Sequence, residues 1–275
     1  MIRKSASIFK DVLLAANRMG GCEPEWLKGE GPPDFKTVEA GSSGPNLILL
    51  HGLLGAVSNW ESTLPLFGKF SRTVALHFPI LTGHRSEVKV KSLAAYTEYF
   101  IRSRYSEPVV LCGNSLGGHV ALRLALASPE LAKGIVLSGA SGLYEHSVDA
   151  LPIRPDKKFV REHMARVFKN EKFITDGAVE EIAQIISSRA NILNLIHAAR
   201  SAKKDNLLRY LKDIKLPVLL LWGEDDEITT MQVAETFRKH LPNSTLVTKS
   251  NCGHAPMIEY PEWFAAEVQK FTDSL

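Results

Sequence analysis

Six short, largely apolar runs, rich in leucine and β-branched residues, punctuate the chain. They are NLILLH (46–51), TVALHF (73–78), PVVLC (108–112), GIVLSG (134–139), PVLLLW (217–222) and STLVTK (244–249). Apolar runs of this length suit strands buried on both faces, as in a parallel sheet. Apolar positions recur at helical spacing near 59–69, 92–104, 115–128, 231–240 and 261–273. The alternation predicts an α/β protein with a mostly parallel central β-sheet flanked by helices. DFKTVEA (34–40) predicts an antiparallel edge strand ahead of the first run.

From about Ser141 to Leu211 the rhythm stops. No strand-like run occurs there, and DKKFVREHMARVFKN and DGAVEEIAQIISSRANILNLIHAAR both carry helical periodicity. A helical insertion between two sheet strands forms a separate lobe, naturally placed over the carboxyl ends of the strands, where open α/β sheets bind ligands. The expected organisation is a core from 1–140 and 212–275, with 1–30 as an N-terminal helical extension, and a helical cap over 141–211. In the extension, SIFKDVLLAANRMGG places Ile8, Phe9, Val12, Leu13 and Ala16 at the spacing of a short amphipathic helix. Lys10 and Asp11 interrupt any signal-peptide apolar region, so no secretory leader is expected. Nowhere do enough apolar residues run together to cross a bilayer, so no stable membrane insertion is expected.

Composition narrows the class without choosing a chemistry. With 275 residues, 45% of them hydrophobic, the chain has room for one sizeable core and an inserted lobe. A net charge of +3 and the lack of a compact Lys/Arg cluster argue against a nucleic-acid partner. Cys22, Cys112 and Cys252 are odd in number, with neither CxxC nor metal-ligand spacing, which predicts free thiols in a cytoplasmic protein without a metal site. A small-molecule substrate is the expected partner, and a homo-oligomeric state stays open.

Chemistry enters at LCGNSLGGHV (111–120). Gly113-Asn114-Ser115-Leu116-Gly117 fits G-x-S-x-G between a strand and a helix, the setting of a nucleophile elbow. A serine hydroxyl needs a base. Of nine histidines, His254 in SNCGHAP follows the last strand directly, whereas His119, four residues into the helix after the serine, should point away from it. LLLWGEDDEITT closes a strand with Glu224, Asp225, Asp226 and Glu227, and an acid there is placed to orient the imidazole. Two amides are candidate oxyanion donors: Leu116 N–H, just after the serine, and Leu53 N–H in the glycine-bearing loop HGLLG (51–55). His51 in that loop reads as structural.

HGLLG, GNSLGG, WGEDD and GHAP, in that order, resemble the α/β-hydrolase superfamily from about Phe35 to the C-terminus. The resemblance implies a sheet of about eight strands, a helical cap after the sixth, and a Ser-His-Asp triad that needs no cofactor. It implies Asp226 as the acid, three residues past the glycine of the W-G turn, with Asp225 as alternative. Relatives that dehalogenate or open epoxides carry aspartate where Ser115 stands, so they are excluded. Three departures stand out: HFPILTGHRSE lacks the family's usual glycine pattern, Thr230 replaces a common proline, and the first 30 residues have no clear counterpart.

Three functions follow. The leading one is a serine hydrolase of small or medium carboxylic esters, working through an acyl-enzyme. The second is a C–C bond hydrolase of vinylogous diketone acids. GNS resembles the elbow of the meta-cleavage-product hydrolases, with Asn114 as a substrate-binding candidate. Those relatives use a cap arginine for the substrate carboxylate, for which Arg189 or Arg154 are candidates, but Ala255 follows His254 where they usually carry tryptophan. The third is a non-catalytic binding protein on the same fold.

Overall fold

The computed structural model describes residues 2–21, 25–27, 34–55, 57–144 and 156–275. Seven strands form one sheet: β1 (Thr37–Ala40), β2 (Asn46–Leu50), β3 (Arg72–Leu76), β4 (Val109–Asn114), β5 (Ala132–Ser138), β6 (Val218–Gly223) and β7 (Ser244–Lys249). Their spatial order is β1-β3-β2-β4-β5-β6-β7. β1 runs antiparallel to β3, with Val38 opposite Ala75, and the other neighbours are parallel. The predicted edge strand therefore pairs with the third strand in the chain, not with the run that follows it.

The helices are α1 (Ile2–Arg18), α2 (Leu64–Phe67), α3 (Val90–Arg104), α4 (Leu116–Ala127), α5 (Lys157–Val167), α6 (Asp176–Ser187), α7 (Arg189–Lys204), α8 (Met231–His240), α9 (Pro256–Glu259) and α10 (Pro261–Asp273). Alternation along the strands sends Ile48, Leu50, Leu111 and Leu137 to one face, which packs with α1, α3, α4 and α8. Leu47, Leu49, Val110 and Val136 go to the other, which packs with α2, α9 and α10. Both faces being covered, β4 is buried at all six positions, the condition its continuous apolar run anticipates.

Three expectations change in detail. Among the described residues the sheet has seven strands, not about eight, and the helical insertion follows the fifth, not the sixth. Before β1, the described residues supply α1 and a short 3-10 turn at Glu25–Leu27. The apolar residues of α1 are spaced for a helix, and Val12, Ala15 and Ala16 are fully buried in the core beside α3. The helix expected over 59–69 shrinks to the four residues of α2 behind a 3-10 turn at Val57–Trp60. Pro65 has no amide hydrogen and sits only in a first turn, so the helix starts there and stops at Gly68.

The insertion contributes α5, α6 and α7. The long helical pattern at 176–200 divides at Ser188, whose extended backbone caps α7 while its hydroxyl accepts from Asn191 N–H at 3.5 Å. Ser201 Oγ on α7 accepts from Val90 N–H at 2.8 Å, and Asn194 Nδ2 donates to Gly83 O at 3.0 Å. At the end of α7, Asp205 takes a two-pronged contact from Arg123 of α4, one arm at 2.6 Å. No described helix is long and apolar enough to cross a membrane.

Candidate active site

Chain connections leave β2 toward β3 on one side and resume at β4 on the other, so β2 and β4 flank the switch point of the sheet. Ligands of open α/β sheets bind outside the carboxyl ends at such a point. The loop HGLLG leaves β2 there, and Ser115 leaves β4 beside it.

Ser115 makes the strand-to-helix turn alone, with φ +53° and ψ −116°. A non-glycine residue in such a conformation costs on the order of 1–3 kcal/mol and persists only where its surroundings enforce it. Three backbone hydrogen bonds enforce it here. Ser115 N–H donates to Ser138 O at 3.0 Å, and Ser115 O accepts from His119 N–H at 3.2 Å and Ser141 N–H at 3.1 Å. The flanking glycines are steric necessities. A Cβ on Gly113 would lie 2.4 Å from the Gly117 carbonyl carbon, and one on Gly117 would lie 2.0 Å from Leu50 O. The hydroxyl is thus lifted above the sheet, and the amide of Leu116 opens α4, where first-turn N–H groups lack intrahelical acceptors.

His254 is 6% exposed and Asp226 4%. His254 Nδ1 lies 2.8 Å from Asp226 Oδ2, close enough for Nδ1–H to donate and leave Nε2 with its lone pair. The carboxylate is pinned on every side. Oδ1 accepts from Ile228 N–H at 2.8 Å and Thr229 N–H at 2.9 Å, and Oδ2 also accepts from the Thr229 hydroxyl at 3.0 Å. Asp225 turns away and pairs with Lys169 Nζ at 2.9 Å. Of the two acids, it is Asp226, the one the resemblance implies, that the structure brings to the imidazole.

Two further histidines, His119 on α4 and His51 after β2, have other partners. His119 Nε2 is 3.2 Å from Asp205 Oδ2, directed away from the site as its helix position anticipates. Burial raises the Asp205 carboxyl, but hydrogen bonds and charge from His119 and Arg123 outweigh it and bring the value down to about 2. His51 Nε2 accepts from Phe78 N–H at 2.9 Å, and Nδ1–H reaches Gly52 O at 2.8 Å. Burial lowers its pKa to about 4, so the ring is a neutral brace between the loops after β2 and β3.

Ser115, His254, Leu53, Leu116 and Asn114 line one cavity of about 220 Å³. Its roof comes from the inserted helices, through Met164, Val167, Phe168, Ile182, Leu195 and Ala199 among others. Among the described residues of this wall there is no Lys, Arg, Asp or Glu. Arg189 is exposed at the start of α7 and lies off the wall. The reason is helical phase: Leu195, Ala199 and Ala202 set the cavity face of α7, and at ~100° per residue position 189 falls well to one side of it. Arg154 lies outside the described residues. Asn114 is on the wall, but its amide is committed to the scaffold, donating to Ser138 O and His254 O at 3.1 Å each.

Two contributors escaped the sequence reading. Thr229 braces Asp226 and lies 3.3 Å from His254 Nδ1; its place three residues past the acid was the available signal. Glu259, on α9, accepts from Gly253 N–H at 2.6 Å and Asn170 N–H at 3.0 Å, tying the histidine loop to the insertion. Nothing in a lone glutamate after GHAP marks it as buried.

The profile of the Alpha/beta hydrolase family matches residues 47–267. The chain belongs to the alpha/beta hydrolase family. Among curated relatives, this hydrolase is 29% identical over 249 residues to pimeloyl-[acyl-carrier protein] methyl ester esterase of Nitrosomonas europaea, covering 83% of this chain and 96% of that one. It is 26% identical over 256 residues to 2-hydroxy-6-oxo-6-(2'-aminophenyl)hexa-2,4-dienoic acid hydrolase of Metapseudomonas resinovorans, covering 88% of each. A solved alpha/beta hydrolase from the sediment metagenome of the Mar Chica lagoon, Morocco, superposes with a TM-score of 0.71 at 28% identity, covering 89% of this chain and 97% of that one.

Proposed function

We propose that this hydrolase cleaves small or medium, uncharged carboxylic esters through an acyl-enzyme. The observation that carries the reading is a strained serine facing an apolar cavity beside a histidine that is hydrogen-bonded to a buried aspartate. Ser115 Oγ attacks the ester carbonyl as His254 Nε2 takes its proton. The tetrahedral oxyanion is met by Leu116 N–H and Leu53 N–H. His254 then protonates the departing alcohol, and water, activated by the same imidazole, releases the acid. Asp226 holds the tautomer and stabilises the imidazolium, and no cofactor takes part. The helices between β5 and β6 act as a cap that supplies the apolar wall. A cytoplasmic setting belongs to the same reading, on the ground of the free, buried Cys112 and Cys252.

The ester named for the Nitrosomonas relative supports this choice. The ring-cleavage acid named for the Metapseudomonas relative supports C–C hydrolysis as the runner-up. The wall favours the ester, since an acid substrate would bring a carboxylate to a described surface without a cation. A fluorophosphonate probe is expected to label Ser115 in the intact protein and not in Ser115→Ala. Absence of labelling, or rapid cleavage of a coloured ring-cleavage acid with negligible turnover of p-nitrophenyl butyrate, would overturn the proposal.

A further inference from the structure

His163 sits on α5, and its imidazole forms part of the wall of the cavity that holds Ser115 and His254. The ring stacks on Phe159, one turn earlier, with centroids 6.2 Å apart and planes 13° from parallel. That contact fixes the ring plane and leaves the nitrogens uncommitted. Among the described residues, neither nitrogen has a hydrogen-bond partner.

Three other polar side chains on the wall are already in use. Asn114 is bonded to two backbone carbonyls, the Thr229 hydroxyl serves Asp226, and Ser141 Oγ lies 3.4 Å from His119 Nδ1. Asn59 is a further polar side chain of the wall; its amide lies against the HGLLG loop, 2.5 Å from where a Cβ on Gly55 would be, and belongs with the loop that carries Leu53. The half-buried imidazole is thus a polar group of this wall with no job inside the protein. Burial first, then electrostatic interaction with Arg166 and with His254, lower its pKa, which favours the neutral ring.

We propose that His163 is a specificity-determining residue, which hydrogen-bonds a polar but uncharged substituent, a hydroxyl or a second carbonyl, on the acyl or alcohol part of the substrate. The assignment rests on the ester reading above. A neutral imidazole offers one donor and one acceptor, the complement of a hydroxyl, which also offers both. A largely apolar wall discriminates most strongly by whether its few uncommitted polar groups find partners, because one left unpaired loses the water it would otherwise bind.

The test compares p-nitrophenyl butyrate with p-nitrophenyl 3-hydroxybutyrate, equal in chain length, on wild type, His163→Leu and His163→Gln. His163→Leu is expected to lower kcat/KM for the hydroxy ester by about tenfold and to leave the plain ester within about threefold, the size of one hydrogen bond to a partly buried group. His163→Gln, which keeps a donor and an acceptor, is expected to restore part of the discrimination. A second arm titrates Ser115→Ala with methyl 3-hydroxybutyrate or methyl butyrate and follows the imidazole nitrogens of His163 by NMR. The hydroxy compound is expected to shift them, and the plain one is not. Equal losses on both esters, or no response of the His163 nitrogens to the hydroxyl, overturns the assignment. A selective shift without turnover by wild type retracts the ester chemistry and leaves the recognition role standing.

Discussion

At the scale of single residues, the site depends on which of two adjacent acids faces inward. Asp226 receives four hydrogen bonds, including the one from His254, while Asp225 pairs with Lys169 at the surface. Asp226→Asn is expected to reduce kcat/KM for a p-nitrophenyl ester by roughly three to four orders of magnitude, because the amide favours the wrong imidazole tautomer. Asp225→Asn should stay within about twofold, since an exposed ion pair contributes little. A reversal of that order in steady-state rates would displace the acid by one residue. His51 governs a different property. Its folded-state pKa of about 4 lies below the ordinary histidine value of 6.5, so between these pH values the unfolded chain binds the proton and the folded one does not. Its contribution is therefore intact above pH ~6.5 and is lost on acidification, at up to roughly 1.4 kcal/mol per pH unit, until the buried ring titrates. In His51→Asn the fall in Tm between pH 7 and pH 5 should be shallower than in wild type. An unchanged slope would assign the acid sensitivity elsewhere.

At the scale of elements, helical phase decides what each segment contributes. α7 directs Leu195, Ala199 and Ala202 to the cavity and leaves Arg189 in solvent, so a basic residue near a site in sequence is not near it in space. α1 shows the same logic in the core. Val12 is fully buried in the core, whereas Leu14, two residues on, is 47% exposed. Val12→Asp is expected to cost more than about 2 kcal/mol in urea unfolding, because it buries a charge without a partner. Leu14→Asp should remain within about 0.5 kcal/mol. Similar losses in both variants would mean that α1 is not held by the face described.

At the scale of the whole molecule, the sheet and the inserted helices together enclose a reaction space that neither provides alone. The insertion donates the apolar roof, and Val167 O accepts from His254 N–H at 2.7 Å, so roof and histidine loop are joined at the backbone. Because the described wall carries no Lys, Arg, Asp or Glu, charge on a substrate should be penalised. An ester with a terminal carboxylate on its acyl chain is expected to show kcat/KM at least tenfold below that of an uncharged ester of the same length, measured under identical ionic conditions. Equal rates would point to a cation reaching the cavity and would revive the carboxylate-binding alternative.

Much of this architecture was legible in the residues themselves. Leucine-rich and β-branched runs marked six strands to within one or two residues. In the inner strands the runs are largely apolar because burial on both faces excludes polar side chains locally, whereas the edge strand β7, with no fully buried residue, was marked by its β-branched content. The glycines around Ser115 marked the elbow, because the crowding that requires them lies within a five-residue turn. Most spatial choices were not legible. The order of Asp226 over Asp225 came from the family resemblance, and the exposure of Arg189 follows from which face of α7 turns to the cavity. The neutral brace at His51 and the cavity position of His163 depend on side chains from segments far apart in the chain. Local pattern set the elements and their order, since propensity and periodicity act over a few residues. Only the packed structure decided which groups meet, because contact, burial and charge are properties of neighbours in space.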